Sequence, residues 1–150
     1  MIDPRGPRFA ALLTTIVLAS ALLTGSAWLL AAQAVVFAFG AFRGIQHTPY
    51  SWLFRRFVRP RLAPPAELED ARPPRFAQTV GLGFAVVGLL GAVVGLTPLF
   101  LVATGFALAA AFLNAAFGYC LGCEVYLLVR RHFPAPDART DDTTREEIPA

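Results

Sequence analysis

Cys120 and Cys123 stand in the order Phe117-Gly118-Tyr119-Cys120-Leu121-Gly122-Cys123-Glu124, and they are the two cysteines of the chain. A C-x-x-C pair can cycle between dithiol and disulfide or carry a persulfide. It can also supply half of a four-sulfur metal site, or fill space with two small, soft side chains. On a helix, Cys120, Cys123, Glu124 and Leu127 fall at i, i+3, i+4 and i+7, so both sulfurs and the carboxylate share one face. Gly118 and Gly122 loosen the backbone, which leaves a new helix free to start near Cys120, where a helix N-terminus favours the thiolate. Glu124 then acts in two opposed ways: as a base it takes a thiol proton, and as a nearby anion it disfavours the thiolate. Cys120, Cys123 and Glu124 are the candidate catalytic residues of a thiol-disulfide or sulfane-sulfur relay. One copy offers only two sulfur ligands, so a Cys-bound metal would need a homodimer and help from His47 or His132. No other cofactor motif accompanies the pair, and the alternative of a non-catalytic scaffold or transporter subunit, in which the cysteines only pack, stands beside the relay.

The elements that must position this pair are written in an apolar chain. Of 150 residues, 56% are hydrophobic and 15% charged, a balance that points to the bilayer as solvent. All thirteen positive side chains are Arg, and the formal net charge is +3. A basic balance raises nucleic acid as a partner, but these Arg border apolar runs of membrane-spanning length, where they act as topology signals, and nucleic acid is excluded.

From Phe9 to Phe42 there are 34 residues without a charge. As one helix they would run roughly 50 Å, well beyond a hydrocarbon core of roughly 30 Å. Two short spans fit instead, about 9–24 and 26–42, turning at Gly25-Ser26 with Trp28 near the interface. A signal peptide competes for the same start, with Arg5 and Arg8 as its basic region and Gly25-Ser26-Ala27 as a cleavage site. The apolar segment that follows Ala27 argues against it.

The 48 residues from Phe76 to Cys123 are also free of charge, and they need two crossings. Thr97-Pro98 is the natural break, giving spans about 76–96 and 98–117. In the third span Gly81, Gly88, Gly91 and Gly95 fall on one helical face, a groove for a neighbouring helix of the same bundle or of a second copy. Between the two apolar runs lies a polar loop, 43–75. Its first part, Tyr50 to Arg59, places Leu53 and Phe57 on one helical face and Arg55 with Arg59 on another, as in a helix lying among headgroups. Its second part, Pro60 to Pro74, reads as an extended linker. Beyond the cysteines, Glu124 to Phe133 continues as an amphipathic helix, Pro134 and Pro136 stop it, and 135–150 reads as a disordered cytoplasmic tail.

With four spans, the charge-free turns lie on one side and every Arg on the other. The positive-inside rule makes the Arg side cytoplasmic, with both termini inside. The halves resemble each other: Asp3-Pro-Arg-Gly-Pro-Arg-Phe-Ala10 and Asp70-Ala-Arg-Pro-Pro-Arg-Phe-Ala77 agree at six of eight positions, at an offset of 67. An offset of 69 pairs Phe37 with Phe106, Ala41 with Ala110 and Tyr50 with Tyr119, and it sets Ser51 and Phe54 opposite Cys120 and Cys123. Two hairpins would then repeat in parallel about an axis along the membrane normal. The fold expected is an all-α membrane protein of four transmembrane helices, two hairpins in parallel internal repeat, with interfacial amphipathic helices, over 1–134. Gln33 and Asn114 lie within spans, where an amide serves as hydrogen-bonding glue between helices. Together with Gln78, they would favour transport if all three faced one cavity and a scaffold if each met a separate neighbour.

Taken together, three stretches resemble the domain of unknown function 4395 family: Asp3-Pro4-Arg5-Gly6-Pro7-Arg8-Phe9-Ala10, Arg72-Pro73-Pro74-Arg75-Phe76-Ala77-Gln78, and Leu113-Asn114-Ala115-Ala116-Phe117-Gly118-Tyr119-Cys120-Leu121-Gly122-Cys123-Glu124. The resemblance covers about Ile2 to Phe133. It implies a small, multi-pass integral protein of the bacterial inner membrane, and it supplies no activity. As a partner beside the lipid bilayer, it suggests a thioredoxin-like or sulfurtransferase-like cytoplasmic protein.

Overall fold

A computed structural model describes residues 1–134; the expected disordered tail lies outside the described residues. Six α-helices follow one another: α1 (Arg5–Thr24), α2 (Ala27–Phe42), α3 (Pro49–Leu53), α4 (Arg72–Val93), α5 (Thr97–Phe117) and α6 (Leu121–His132). Among the described residues there is no strand, only an isolated bridge between Ile2 and Glu69 that pins the N-terminal segment to the loop before α4.

The turns sit where small residues and proline put them. Gly25 ends α1 at φ 65°, and Ser26 then caps α2 by accepting a hydrogen bond from the Leu29 amide at 3.4 Å. α5 opens with proline in its first turn, where the missing N–H has no helical partner to lose. α4 ends at Val93, three residues short of the expected limit. Gly95 therefore lies in the turn, at φ 76°, and does not extend the glycine face of the helix.

α1 packs against α2 and α5, and α4 packs against the same two helices, so the bundle runs α1–α2–α4–α5 around its axis. Leu18, Leu30, Phe37, Ala85, Phe100 and Ala107 form its core. The α4 glycines admit side chains and backbone of this bundle. A Cβ on Gly88 would meet Leu30 Cδ2 at 2.9 Å, and one on Gly91 would stand 2.8 Å from the Phe100 backbone nitrogen. Outside this core the helices are apolar as well: Leu23, Trp28, Val93 and Val102 are exposed. An apolar exterior around a small core suits contact with lipid. Three helices, α1, α4 and α5, are long and apolar enough to cross a membrane; α2 is an apolar helix of 16 residues.

Both hairpins are tied together at the same end of the bundle. Arg8 at the start of α1 donates from Nε and Nη2 to the Ala115 and Ala116 carbonyls at the end of α5, each at 3.1 Å. Arg75 at the start of α4 donates from Nε to Ala41 at 2.7 Å and from Nη2 to Phe42 at 2.9 Å, at the end of α2. Each guanidinium thereby satisfies carbonyls that a helix C-terminus leaves unpaired and places a positive charge at the negative end of its dipole.

The interfacial segment departs from the single helix expected over Tyr50 to Arg59. α3 has five residues, then the chain widens into a π turn over Phe54–Val58 and tightens into a 3-10 turn over Arg59–Arg61. Pro60 accounts for the break, since it has no N–H to donate and its ring would press on the carbonyl four residues back. The segment remains anchored through Phe9 and Phe54, whose ring centroids lie 5.7 Å apart.

Candidate functional site

The cysteines occupy the junction between α5 and α6. Gly118, at φ 68°, turns the chain out of α5 while its amide bonds back to the Asn114 carbonyl. Cys120 is then extended and becomes the N-cap of α6: its Sγ accepts a hydrogen bond from the Cys123 amide at 3.4 Å, and its carbonyl accepts from Glu124 N at 3.0 Å. The helix start expected near Cys120 is found one residue later. The Cα atoms of Cys120 and Cys123 are 5.2 Å apart, and the two sulfurs are within disulfide reach of each other.

Gly122 and Tyr126 hold this first turn in place. A Cβ on Gly122 would fall 2.5 Å from Ala77 Cβ, so α6 lies directly on α4. The Tyr126 ring packs on Phe76 at 5.7 Å, with the Arg130 guanidinium 6.0 Å from the Tyr126 ring centre. Both cysteines are half-buried, whereas Glu124 is exposed in the first turn of α6. His47 and His132 each bond the backbone carbonyl four residues earlier, Arg43 at 2.9 Å and Leu128 at 3.0 Å. Among the described residues no group of three or more His, Cys, Asp or Glu side chains could hold a metal ion.

Cys120 and Cys123 open onto a cavity of about 650 Å³ bounded mainly by α1, α4, α5 and the start of α6. Gln78 and Asn114 belong to its lining. Gln33 does not: it is 1% exposed, donates from Nε2 to Thr14 Oγ1 at 3.3 Å and accepts from the Tyr50 hydroxyl at 2.7 Å. Two of the three amides therefore share a cavity, and the third joins α1, α2 and α3 as the glue role requires. Burial pushes the Tyr50 hydroxyl above its ordinary value, which keeps it protonated as the donor of that bond.

Thr48 and Ser51 line the same cavity, and nothing in residue order alone singles out Thr48. Thr48 is the N-cap of α3, its Oγ1 accepting from the Ser51 amide at 3.2 Å and donating to Ser51 Oγ at 3.0 Å. This is the arrangement of Cys120 and Cys123 with oxygen in place of sulfur. The signal lay in the shared x-x spacing of Thr48-Pro-Tyr-Ser51, a cap pattern too common among helix starts to stand out by itself.

Residues 2–131 match the family described as a domain of unknown function (DUF4395). The chain belongs to that family. Neither a curated protein nor a solved structure matches it. The match takes in the family's stretch from α1 through the capped start of α6, so the cysteine junction falls inside the family domain and not in an appendage to it.

Proposed function

We propose that this member of the family is a four-span protein of the bacterial inner membrane that relays thiol-disulfide or sulfane-sulfur equivalents through Cys120 and Cys123 at the cytoplasmic face. The observation that carries the chemistry is the pair's place at a helix N-terminus: Cys120 is the cap, Cys123 lies one turn on, and their sulfurs are adjacent. The amide bonded to Cys120 Sγ and the positive end of α6 both favour a thiolate there. That thiolate attacks the disulfide of a thioredoxin-like protein, forming a mixed disulfide and releasing one partner thiol. Cys123 then displaces the second, so the Cys120–Cys123 bond forms as the partner gains the same two electrons. With a sulfurtransferase-like persulfide donor, the thiolate takes the outer sulfur atom, the donor leaves as a thiolate, and an acceptor thiol removes the sulfur in turn. Glu124, in the same first turn, tunes the proton on the pair.

The fourth span in this reading is α2, charge-free over its 16 residues and joined to α1 by a two-residue turn. The ends of α1, α2, α4 and α5 that carry or bind Arg8 and Arg75 lie together, and the positive-inside rule makes that end cytoplasmic, with both termini inside. Domain boundaries follow: 1–134 as the membrane domain with loop 43–75, and 135–150 as a cytoplasmic tail.

A parallel repeat of the two hairpins is supported by matched interactions. Arg8 with α5 answers Arg75 with α2, and Phe9–Phe54 answers Phe76–Tyr126 at the same 5.7 Å. Thr48–Ser51 answers Cys120–Cys123. That last correspondence has an offset of 72, not 69, and pairs Ser51 with Cys123 instead of with Cys120.

The cap bond itself favours a second reading, in which the cysteines hold the α5–α6 junction of a non-catalytic scaffold or transporter subunit. A membrane-impermeant maleimide, applied to intact cells and to inside-out vesicles before and after reduction, separates the two. The relay requires labelling in inverted vesicles only, increased by reductant. Labelling of intact cells would reverse the topology, and thiols that label only after denaturation would leave the packing role as the better account.

A further inference from the structure

The segment that follows α2 turns one side to the bundle and leaves the other bare. Phe54 faces inward, buried against Phe9 and beside Gly6 at the start of α1. Trp52 and Phe57 are exposed and meet edge-on, with ring centroids 6.3 Å apart. The π turn makes that contact possible. It closes with the Arg59 amide on the Phe54 carbonyl, five residues back, and so brings together residues that an α-helix would hold about 140° apart.

The charge on this segment is of one sign. Residues 43–66 carry five Arg and no Asp or Glu, and four of the five are Arg55, Arg56, Arg59 and Arg61. Asp3, the one carboxylate before Glu67, is taken by Arg5 at 3.0 Å. Arg55 donates to the Gln46 carbonyl and Arg61 to the Phe57 carbonyl, each at 3.0 Å, bonds that orient a guanidinium and leave its charge in place. Arg56, between Trp52 and Phe57 in the chain, is exposed, with no hydrogen-bond or ion-pair partner among the described residues.

These features fit one partner. The segment packs on the first turns of α1, where the charge-free run from Phe9 begins, so its rings lie at the level of a span's end. Aromatic rings are at home there, between acyl chains and headgroups. A free guanidinium beside them matches the oxygens of a phosphate, and a cluster of Arg next to a span draws lipids of net negative charge.

We propose that the Trp52–Phe57 face, with Arg56, binds the headgroup of an anionic phospholipid. The guanidinium takes the phosphate and the two rings sit at the glycerol level. The inference rests on the membrane placement proposed above and not on the cysteine chemistry, so a relay that fails leaves it standing.

The test uses the full chain in mixed vesicles of phosphatidylcholine and phosphatidylglycerol, with bromine on the acyl chains of one lipid or the other to quench tryptophan at contact. The chain has two tryptophans, so Trp28→Phe leaves Trp52 as reporter, and Trp52→Phe leaves Trp28, beside the α1–α2 turn and far from the Arg. Trp52 should favour brominated phosphatidylglycerol by roughly fivefold, the factor that one arginine at the surface supplies, and high salt should reduce the preference. Trp28 should be quenched equally by both lipids. In the Trp52 reporter, Arg56→Gln should remove most of the preference and Arg56→Lys should keep most of it. Equal quenching of Trp52 by both lipids, or a preference unchanged in Arg56→Gln, overturns the proposal. So does a Trp52 that neither lipid quenches, since protein then covers the face, whether a second copy or the chain's own tail. Quenching of Trp28 reports insertion by itself, so failure of the lipid site and failure of the membrane placement are told apart.

Discussion

The two hairpins start alike and finish differently. Each first helix begins with an aspartate that accepts a hydrogen bond from the amide two residues on, Asp3 from Arg5 and Asp70 from Arg72, both at 3.0 Å. Each carries an arginine that clamps the carbonyl end of a helix in the opposite hairpin. Past the second helix they diverge. The N-terminal half closes with a hydroxyl-capped helix of five residues that breaks before Pro60, and the C-terminal half closes with a thiol-capped helix of 12 residues lying hard on α4. A shared frame with one altered cap teaches that the cap geometry is structural in both halves. Only the choice of sulfur needs a chemical reason.

The sharpest break in the comparison is Gly122→Leu. Tyr50 occupies the corresponding place in the proposed repeat, so the close approach to α4 belongs to the C-terminal half alone. A side chain at Gly122 runs into Ala77, and the strain should cost about 2–3 kcal/mol in denaturant titration of the detergent-solubilised protein. It should also slow formation of the Cys120–Cys123 disulfide, and unchanged disulfide kinetics would mean that α6 need not sit on α4 for the pair to close. Next in size is Gln33→Leu, which leaves the Thr14 and Tyr50 hydroxyls without their amide and should cost about 1–2 kcal/mol by the same titration. Thiol reactivity should not move, because this network belongs to the N-terminal half.

Much of this frame could be read from residue order. Charge-free runs of 34 and 48 residues have to fold back on themselves, and Gly25-Ser26 and Thr97-Pro98 are the places where they do. The cysteine junction was legible for the same reason, since Gly118 and Gly122 flank a change from apolar to polar sequence. What escaped depends on contacts between distant segments. The Tyr50 hydroxyl finds Gln33 only after the chain has turned through the 3-10 segment Ile45–His47, and Gln78 reaches a cavity that three helices must assemble. Pro60 announced a break, but its effect upstream, a π turn over Phe54–Val58, depends on how the backbone relaxes around the missing N–H. For the proposed repeat no single offset aligns both ends of the second helices, because α2 has 16 residues and α5 has 21.

Arg8→Met and Arg75→Met test the frame itself. Each removes a pair of charge-assisted bonds to a helix C-terminus, and each should destabilise by about 1 kcal/mol in denaturant titration. A difference of more than about 1 kcal/mol between them would break the correspondence between the halves. The aspartates give a smaller contrast. Asp3 also pairs with the Arg5 side chain at 3.0 Å, and that hydrogen-bonded guanidinium holds its carboxyl below the usual range. A lowered folded-state value stabilises above the unfolded value and is lost as pH falls through the folded one. Asp3→Asn should therefore cost about 0.5 kcal/mol more than Asp70→Asn at neutral pH, a gap that titrations repeated at decreasing pH should see close.

The smallest expected change in stability carries the most information. Moving the thiols to the other half, as Thr48→Cys and Ser51→Cys in a Cys120→Ser/Cys123→Ser background, exchanges cap atoms of similar size and should alter stability by no more than about 0.5 kcal/mol. The cap bond from residue 51 to residue 48 is already in place, and both side chains line the cavity. The transplanted pair should form a disulfide on mild oxidation, seen as loss of two alkylatable thiols by mass spectrometry. Thiols that remain reduced would mean that the two caps resemble each other only in their backbone bonds. A disulfide that forms but gives the cell none of the function lost with Cys120 and Cys123 would place the specificity in α6, which the N-terminal half lacks, and not in the cap.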